Sequence, residues 1–151
     1  MEVNSLKILI EEAIKVSMKS GEKEKTTTLR MAMSEIKKQE IDKKSDLDNQ
    51  EITFLIQRMI KQRKDSSSHF QSAGREELAL KEEREIETLA EFLPAQLSEE
   101  EISAFVKEAV EALNAETNQD IGRVMGTLKT NLQGKADMSL VSKIVKERLT
   151  K

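Results

Sequence analysis

Apolar residues recur at three- and four-residue spacing through nearly every segment of this chain, and a single proline, Pro94, interrupts the pattern. That period belongs to amphipathic helices, so the spacing predicts an all-α fold. Charged residues are 35% of the 151 positions and aromatics only 3%, which favours helices laced with surface ion pairs over a sheet. The same spacing argues against disorder, because each segment carries a face it can bury.

The first helix is predicted from Asn4 or Ser5 as N-cap to about Ser20, with Leu6, Leu9, Ile10, Ala13 and Ile14 facing the core and Gly21 as its stop. A second runs from about Glu24 to Lys44 on Leu29, Met33 and Ile36. Asp48 and Glu51 form a capping box for a third, built on Ile52, Leu55, Ile56, Met59 and Ile60 and extending to Ser72 before Gly74. The fourth uses Leu78, Ile86, Leu89, Ala90 and Leu93 before Pro94 halts it. Ser98 and Glu101 make a second capping box, which opens a fifth helix on Ile102, Phe105, Val106, Ala109 and Leu113. A sixth and a seventh follow, the last on Val141, Ile144, Val145 and Leu149. Long helices joined by short turns imply a bundle or long helical hairpins over residues 1–95, followed by a small three-helix lobe over residues 96–151.

Without cysteine, the chain has no disulfide and no thiolate metal site. No apolar run approaches the ~18 residues of a membrane span, and Met1-Glu2-Val3-Asn4-Ser5 lacks the basic-then-apolar pattern of a secretory leader. A cytoplasmic location and no membrane contact are expected on that basis. The formal charge of −3 hides an asymmetry. Residues 76–120 hold three Lys/Arg against fourteen Asp/Glu, whereas residues 121–151 hold seven against two. A polyanion would be repelled by the middle of the chain and accepted by its end.

Catalytic groups are scarce. The lone histidine, His69, follows three serines, but neighbours on a helix point about 100° apart and cannot make a nucleophile–base pair. An i,i+4 contact with Asp65 is the simpler expectation. The carboxylates Glu82, Glu83, Glu85 and Glu87 lack the Glu-x-x-His spacing of helical metal sites and read as a solvated face. No phosphate-binding loop occurs, so neither a cofactor nor a small-molecule substrate is expected.

The sixth helix is unusual because it contains Gly122 and Gly126, with apolar residues at 121, 124, 125, 128 and 132. Each interior glycine costs about 0.5–1 kcal/mol relative to alanine. Gly122, Gly126, Lys129 and Gln133 share one face, roughly 115° round from the apolar stripe. Such a bare strip accommodates either a neighbouring helix of the same lobe or a visiting backbone, including a phosphodiester chain. Gly134 is placed to end this helix, and Asp137 to cap the next. Arg123, Lys129 and Lys135 surround the strip and are candidate phosphate contacts. A second basic stripe, Arg58, Lys61, Arg63 and Lys64, lies on the third helix. Its alternative role is ion pairing with Glu82, Glu83 and Glu85. Phe54, Phe70, Phe92 and Phe105 read as core or hinge residues, so recognition of RNA would rest on backbone charge and shape.

The segment Gly122-Arg123-Val124-Met125-Gly126, with Gly134-Lys135-Ala136-Asp137 after it, resembles the terminal signature of the GatB/YqeY family. Further matches are Leu29-Arg30-Met31, Lys61-Gln62-Arg63-Lys64-Asp65-Ser66, Phe70-Gln71-Ser72-Ala73-Gly74-Arg75 and Leu93-Pro94-Ala95-Gln96-Leu97. Their order along the chain resembles the free-standing YqeY-like members, which are related to the tail domain of the GatB polypeptide of the glutamyl/aspartyl-tRNA amidotransferase. That resemblance implies tRNA contact at Gly122, Gly126, Gly134 and Lys135. It implies no active site, because amide transfer belongs to other regions of that assembly. Asp137 stands where the amidotransferase tail commonly has asparagine. The functional expectation is a non-catalytic accessory protein that binds tRNA or other structured RNA. An adaptor for a translation-related protein and an accessory to a glutamine-dependent tRNA amidotransferase are the alternatives.

Overall fold

A computed structural model of the chain describes residues 5–150. It contains α1 (Leu6–Ser20), α2 (Lys23–Lys43), α3 (Asn49–Ser72), α4 (Glu76–Ala90), α5 (Glu99–Ala112), α6 (Ile121–Leu132) and α7 (Met138–Leu149), with a 3-10 turn at Asn118–Asp120 and no strand among the described residues. The fold is all-α. It divides into two compact units at the Leu93–Pro94 bond. None of these helices is long and apolar enough to cross a membrane.

Local chemistry sets the helix ends. The Ser5 side chain accepts from the Ile8 N–H to start α1, and Gly21, at φ 76°, stops it. Asn4, the alternative cap, lies outside the described residues, as does the rest of segment 1–4. Asp48 with Glu51 and Ser98 with Glu101 form complete capping boxes on α3 and α5.

In the first unit α1 pairs with α2 and α3 with α4, while α2 also touches α3 and α4. The core is built from Ile10, Leu29, Ile36, Ile52, Leu55, Ile56 and Leu89, all fully buried or nearly so. Each such side chain contributes about 1.5–3 kcal/mol relative to exposure. Ser17 and Thr26 join their hydroxyls at 2.6 Å inside the α1–α2 hairpin, so their burial leaves no polar atom unmatched. Lys7 Nζ donates to Glu40 Oε1 at 2.8 Å, and Glu40 Oε2 accepts the Leu47 N–H at 3.0 Å. These two bonds, the lysine's first, hold the Glu40 carboxyl below its ordinary range.

In the second unit α5, α6 and α7 contact one another pairwise around Ile102, Val106, Val124, Leu128, Leu132, Val141, Val145 and Leu149.

Several expectations about individual side chains are corrected. Leu9, Leu78 and Phe105 lie at the edges of their apolar stripes and are exposed, at 37%, 37% and 40%. On α4 the buried positions are Ala79, Glu85 and Leu89, because Glu85 turns inward to meet Arg63. That helix ends at Ala90, four residues before the proline, with Leu89 and Ala90 carbonyls accepting from Phe92 and Leu93 in a closing turn. His69 is exposed and makes no side-chain hydrogen bond to Asp65. No three His, Asp or Glu residues gather as metal ligands among the described residues.

Candidate nucleic-acid interface

α6 buries Val124, Leu128 and Leu132, a four-residue repeat that fixes which side faces the core. Its start is organised by Asp120. The Oδ2 atom accepts the backbone N–H groups of Glu116 at 2.9 Å and Thr117 at 3.2 Å, and Oδ1 accepts from Arg123 Nη2 at 3.0 Å. The two backbone donors, and then the Arg123 charge, keep this carboxyl below its ordinary value.

On the solvent side, Gly122 and Gly126 are both exposed, and a methyl group placed on either meets nothing within 4 Å. Neither has positive φ. The alternative in which a neighbouring helix of the same lobe fills the strip therefore does not hold. Lys129, on the same face, is exposed and has no partner among the described residues. Thr127 and Thr130 flank the strip, each hydroxyl donating to a carbonyl four residues earlier, those of Arg123 and Gly126. Arg123 borders the ridge with its side chain 54% exposed, but its guanidinium is tied to Asp120.

Gly134 is different. It is buried at φ 84°, which only glycine adopts cheaply, and it turns the chain between α6 and α7. Its carbonyl accepts from Gln96 Nε2 at 2.9 Å, and the Lys135 carbonyl accepts the Leu97 N–H at 2.8 Å. Gly134 thus takes the helix-ending place expected of it. The Lys135 side chain, just past the α6 terminus, is exposed and has no partner among the described residues, and Asp137 caps α7 by accepting from the Ser139 N–H at 2.9 Å. Lys129 and Lys135 both stand near the negative end of the α6 dipole, which favours cations there even without a ligand.

The α3 stripe is split. Arg58, Lys61 and Lys64 are exposed, and Lys61 already has an interaction within the protein. Arg63 is corrected: it is 8% exposed, with Nε donating to Glu85 Oε1 at 3.3 Å and Nη1 to the Met59 carbonyl at 3.2 Å. Ion pairing with α4 claims it. Sequence reasoning also missed the groups that hold the ridge in place, Asp120 and Gln96, and Lys143 and Lys146 on α7, which are exposed and have no side-chain partner among the described residues. The lysines were detectable, since they are three residues apart and off the Val141–Val145–Leu149 stripe.

Residues 7–149 match the family model described as YqeY-like protein. The chain is 32% identical over 138 residues to "Altered inheritance of mitochondria protein 41, mitochondrial" of Pyrenophora tritici-repentis, spanning 89% of this chain and 75% of that protein. It is 31% identical to the protein of the same name in Kluyveromyces lactis, over 79% of this chain and 66% of the relative. An uncharacterized protein of Schizosaccharomyces pombe is 33% identical over 64% of this chain and 78% of its own length. These relatives are named as mitochondrial proteins, which overturns the expected cytoplasmic location. That expectation rested on the lack of one kind of leader, a feature that does not discriminate between compartments inside the cell. Neither the family description nor these names indicates catalysis. The chain belongs to the YqeY-like protein family.

Proposed function

We propose that this YqeY-like protein is a non-catalytic accessory factor that holds structured RNA, tRNA first among them, on the exposed ridge of α6. Gly122 and Gly126 let a sugar–phosphate backbone approach the helix closely. Lys129 and Lys135 pair with its phosphates, and Arg123 adds a third contact where it borders the strip. The observation that carries this reading is the ridge: Gly122, in the first turn of α6, and Gly126, in its interior, face open solvent, with nothing among the described residues close enough to call for a glycine. The excess of cations over residues 121–151 supports the same choice of ligand. A role beside a glutamine-dependent tRNA amidotransferase follows from the family resemblance alone and ranks second.

The test is binding of purified protein to total tRNA across a salt series, with wild type beside Lys129→Glu/Lys135→Glu. Wild type loses affinity steeply as salt rises. The double variant binds more weakly at every salt concentration, with a slope shallower by about one per lost phosphate contact. Equal affinity and slope in both proteins would remove these lysines from the interface.

A further inference from the structure

The first unit contains a groove that the RNA reading does not use. Between α2 and α3 it encloses a volume of about 610 Å³, and Thr27, Arg30, Met31, Ser34, Arg58 and Gln62 are among its walls. A continuation of about 590 Å³ shares Thr27, Met31, Gln62 and Arg63 and reaches α4. Volumes of this order fall within the roughly 300–1,000 Å³ typical of small-ligand sites. Two of the segments that carry the family resemblance, Leu29-Arg30-Met31 and Lys61-Gln62-Arg63-Lys64, place residues on facing walls of this groove.

The polar groups lining it have spare capacity. Among the described residues, the Arg58 side chain has no hydrogen bond or ion pair, and that of Arg30 reaches only the Met18 sulfur, at 3.2 Å. Gln62 and Ser34 are likewise without partners among the described residues. Arg63, buried where the two stretches meet, satisfies Nε and one Nη1 hydrogen, but Nη2 has only the Met31 sulfur at 4.0 Å. A thioether is a weak acceptor, so this guanidinium keeps donors for a better one. The chain carries 28 carboxylates, and its other described cross-helix cations, Lys7, Lys25, Lys43 and Arg84, are paired. Arg30 and Arg58 are not. Glu35 is the one carboxylate of the α2–α3 stretch, whereas Glu24, Glu82 and Glu85 line the α4 stretch beside Lys23 and Lys81. An anion therefore fits the α2–α3 end and is repelled by the other. Met31, 46% exposed, offers an apolar surface next to it.

We infer that the α2–α3 groove is a binding site for a phosphate ester of nucleotide size, its phosphate held by Arg58, Arg30 and Arg63 and its apolar portion resting on Met31. Guanidinium groups suit this ligand because their forked donors match phosphate oxygens bidentately. A free nucleotide and the phosphorylated end of an RNA present the same chemistry, and the two sources separate experimentally.

The experiment is amide NMR titration of the full chain with adenosine 5′-monophosphate, with adenosine, and with a short 5′-phosphorylated RNA. It is repeated on Arg58→Gln, on Gln62→Leu and on Lys129→Glu, with thermal melts to verify folding. Both groove positions are exposed, so their variants are expected to fold. Shifts on α2 and α3 with either phosphorylated probe and none with adenosine support the site, and the probe that binds identifies the source. Affinity falls about tenfold or more in Arg58→Gln, as for loss of a charged hydrogen bond, and is unchanged in Lys129→Glu. No shifts on α2 and α3 with either phosphorylated probe, or equal affinity in wild type and Arg58→Gln, would overturn the assignment. Failure of tRNA binding through Lys129 leaves this result unaffected, because the two sites lie in different units.

Discussion

Asp120 and Arg123 face each other across one turn at the base of the glycine ridge, with Nη2 donating to Oδ1 at 3.0 Å. The same carboxylate collects the Glu116 and Thr117 N–H groups, so a single side chain closes the preceding loop and restrains the cation nearest the strip. This relationship limits Arg123 as a phosphate ligand, because one of its guanidinium nitrogens is already engaged and the side chain is held toward Asp120.

Acid should loosen this corner. The Asp120 carboxyl titrates below its ordinary value of 3.8, chiefly because of the two backbone donors. A depressed folded-state value contributes stability that is present above the unfolded value and is lost as pH falls through the folded one. Asp120→Asn is expected to melt lower than wild type at neutral pH and to converge with it once the pH has fallen below the folded value. Melting curves across that range check this, and a constant gap between the two proteins would contradict it.

Glu82 has the opposite sign. Burial, and then the charge of Glu85, raise its carboxyl above the ordinary 4.5. The native state then holds this proton more tightly than the unfolded chain does. The ionised form costs stability at neutral pH, and that cost disappears as pH falls through the folded value. Glu82→Gln is therefore expected to raise the melting temperature at pH 7 and to leave it unchanged well below the folded value. A drop at pH 7 would refute the assignment.

Arg63 and Glu85 are each 8% exposed, so removing one partner strands a buried charge. Arg63→Met is expected to cost about 3–5 kcal/mol in chemical denaturation. Arg63→Met/Glu85→Leu should recover most of it, since an apolar pair of similar volume is often as stable as a buried ion pair. A double variant no better than the single one would show that the fold requires the pair itself.

The parts of the fold legible in the sequence were those fixed locally. Ser5, Gly21, the Asp48/Glu51 and Ser98/Glu101 boxes and Asp137 mark helix ends within a few residues of themselves, and the structure uses all of them. Helix rotation is set at longer range and was less legible. Leu78 reads as a core residue from its spacing, yet Ala79 takes the buried place because α4 is oriented by the Arg63–Glu85 pair. In the same way Arg63 looks like its exposed neighbours on α3 until its partner across the helix pair is known. For the candidate site, the sequence located the glycine face but left its exposure open. A strip of glycines beside a core is equally consistent with a packed neighbour, and only the arrangement of α5 and α7 leaves it uncovered.

The central claim is that the α6 ridge is kept bare for a ligand at the expense of helix stability. Gly122→Ala/Gly126→Ala tests it directly, with chemical denaturation and tRNA affinity measured on the same preparation. Neither glycine has a positive φ and both have open space around them, so alanine at 126, inside the helix, should stabilise the protein by about 0.5–1 kcal/mol, and alanine at 122, in the first turn, by less. The account predicts this gain together with weaker tRNA binding, because the added methyl groups occupy the surface that the backbone approaches. A stabilised variant that binds tRNA as tightly as wild type would contradict it.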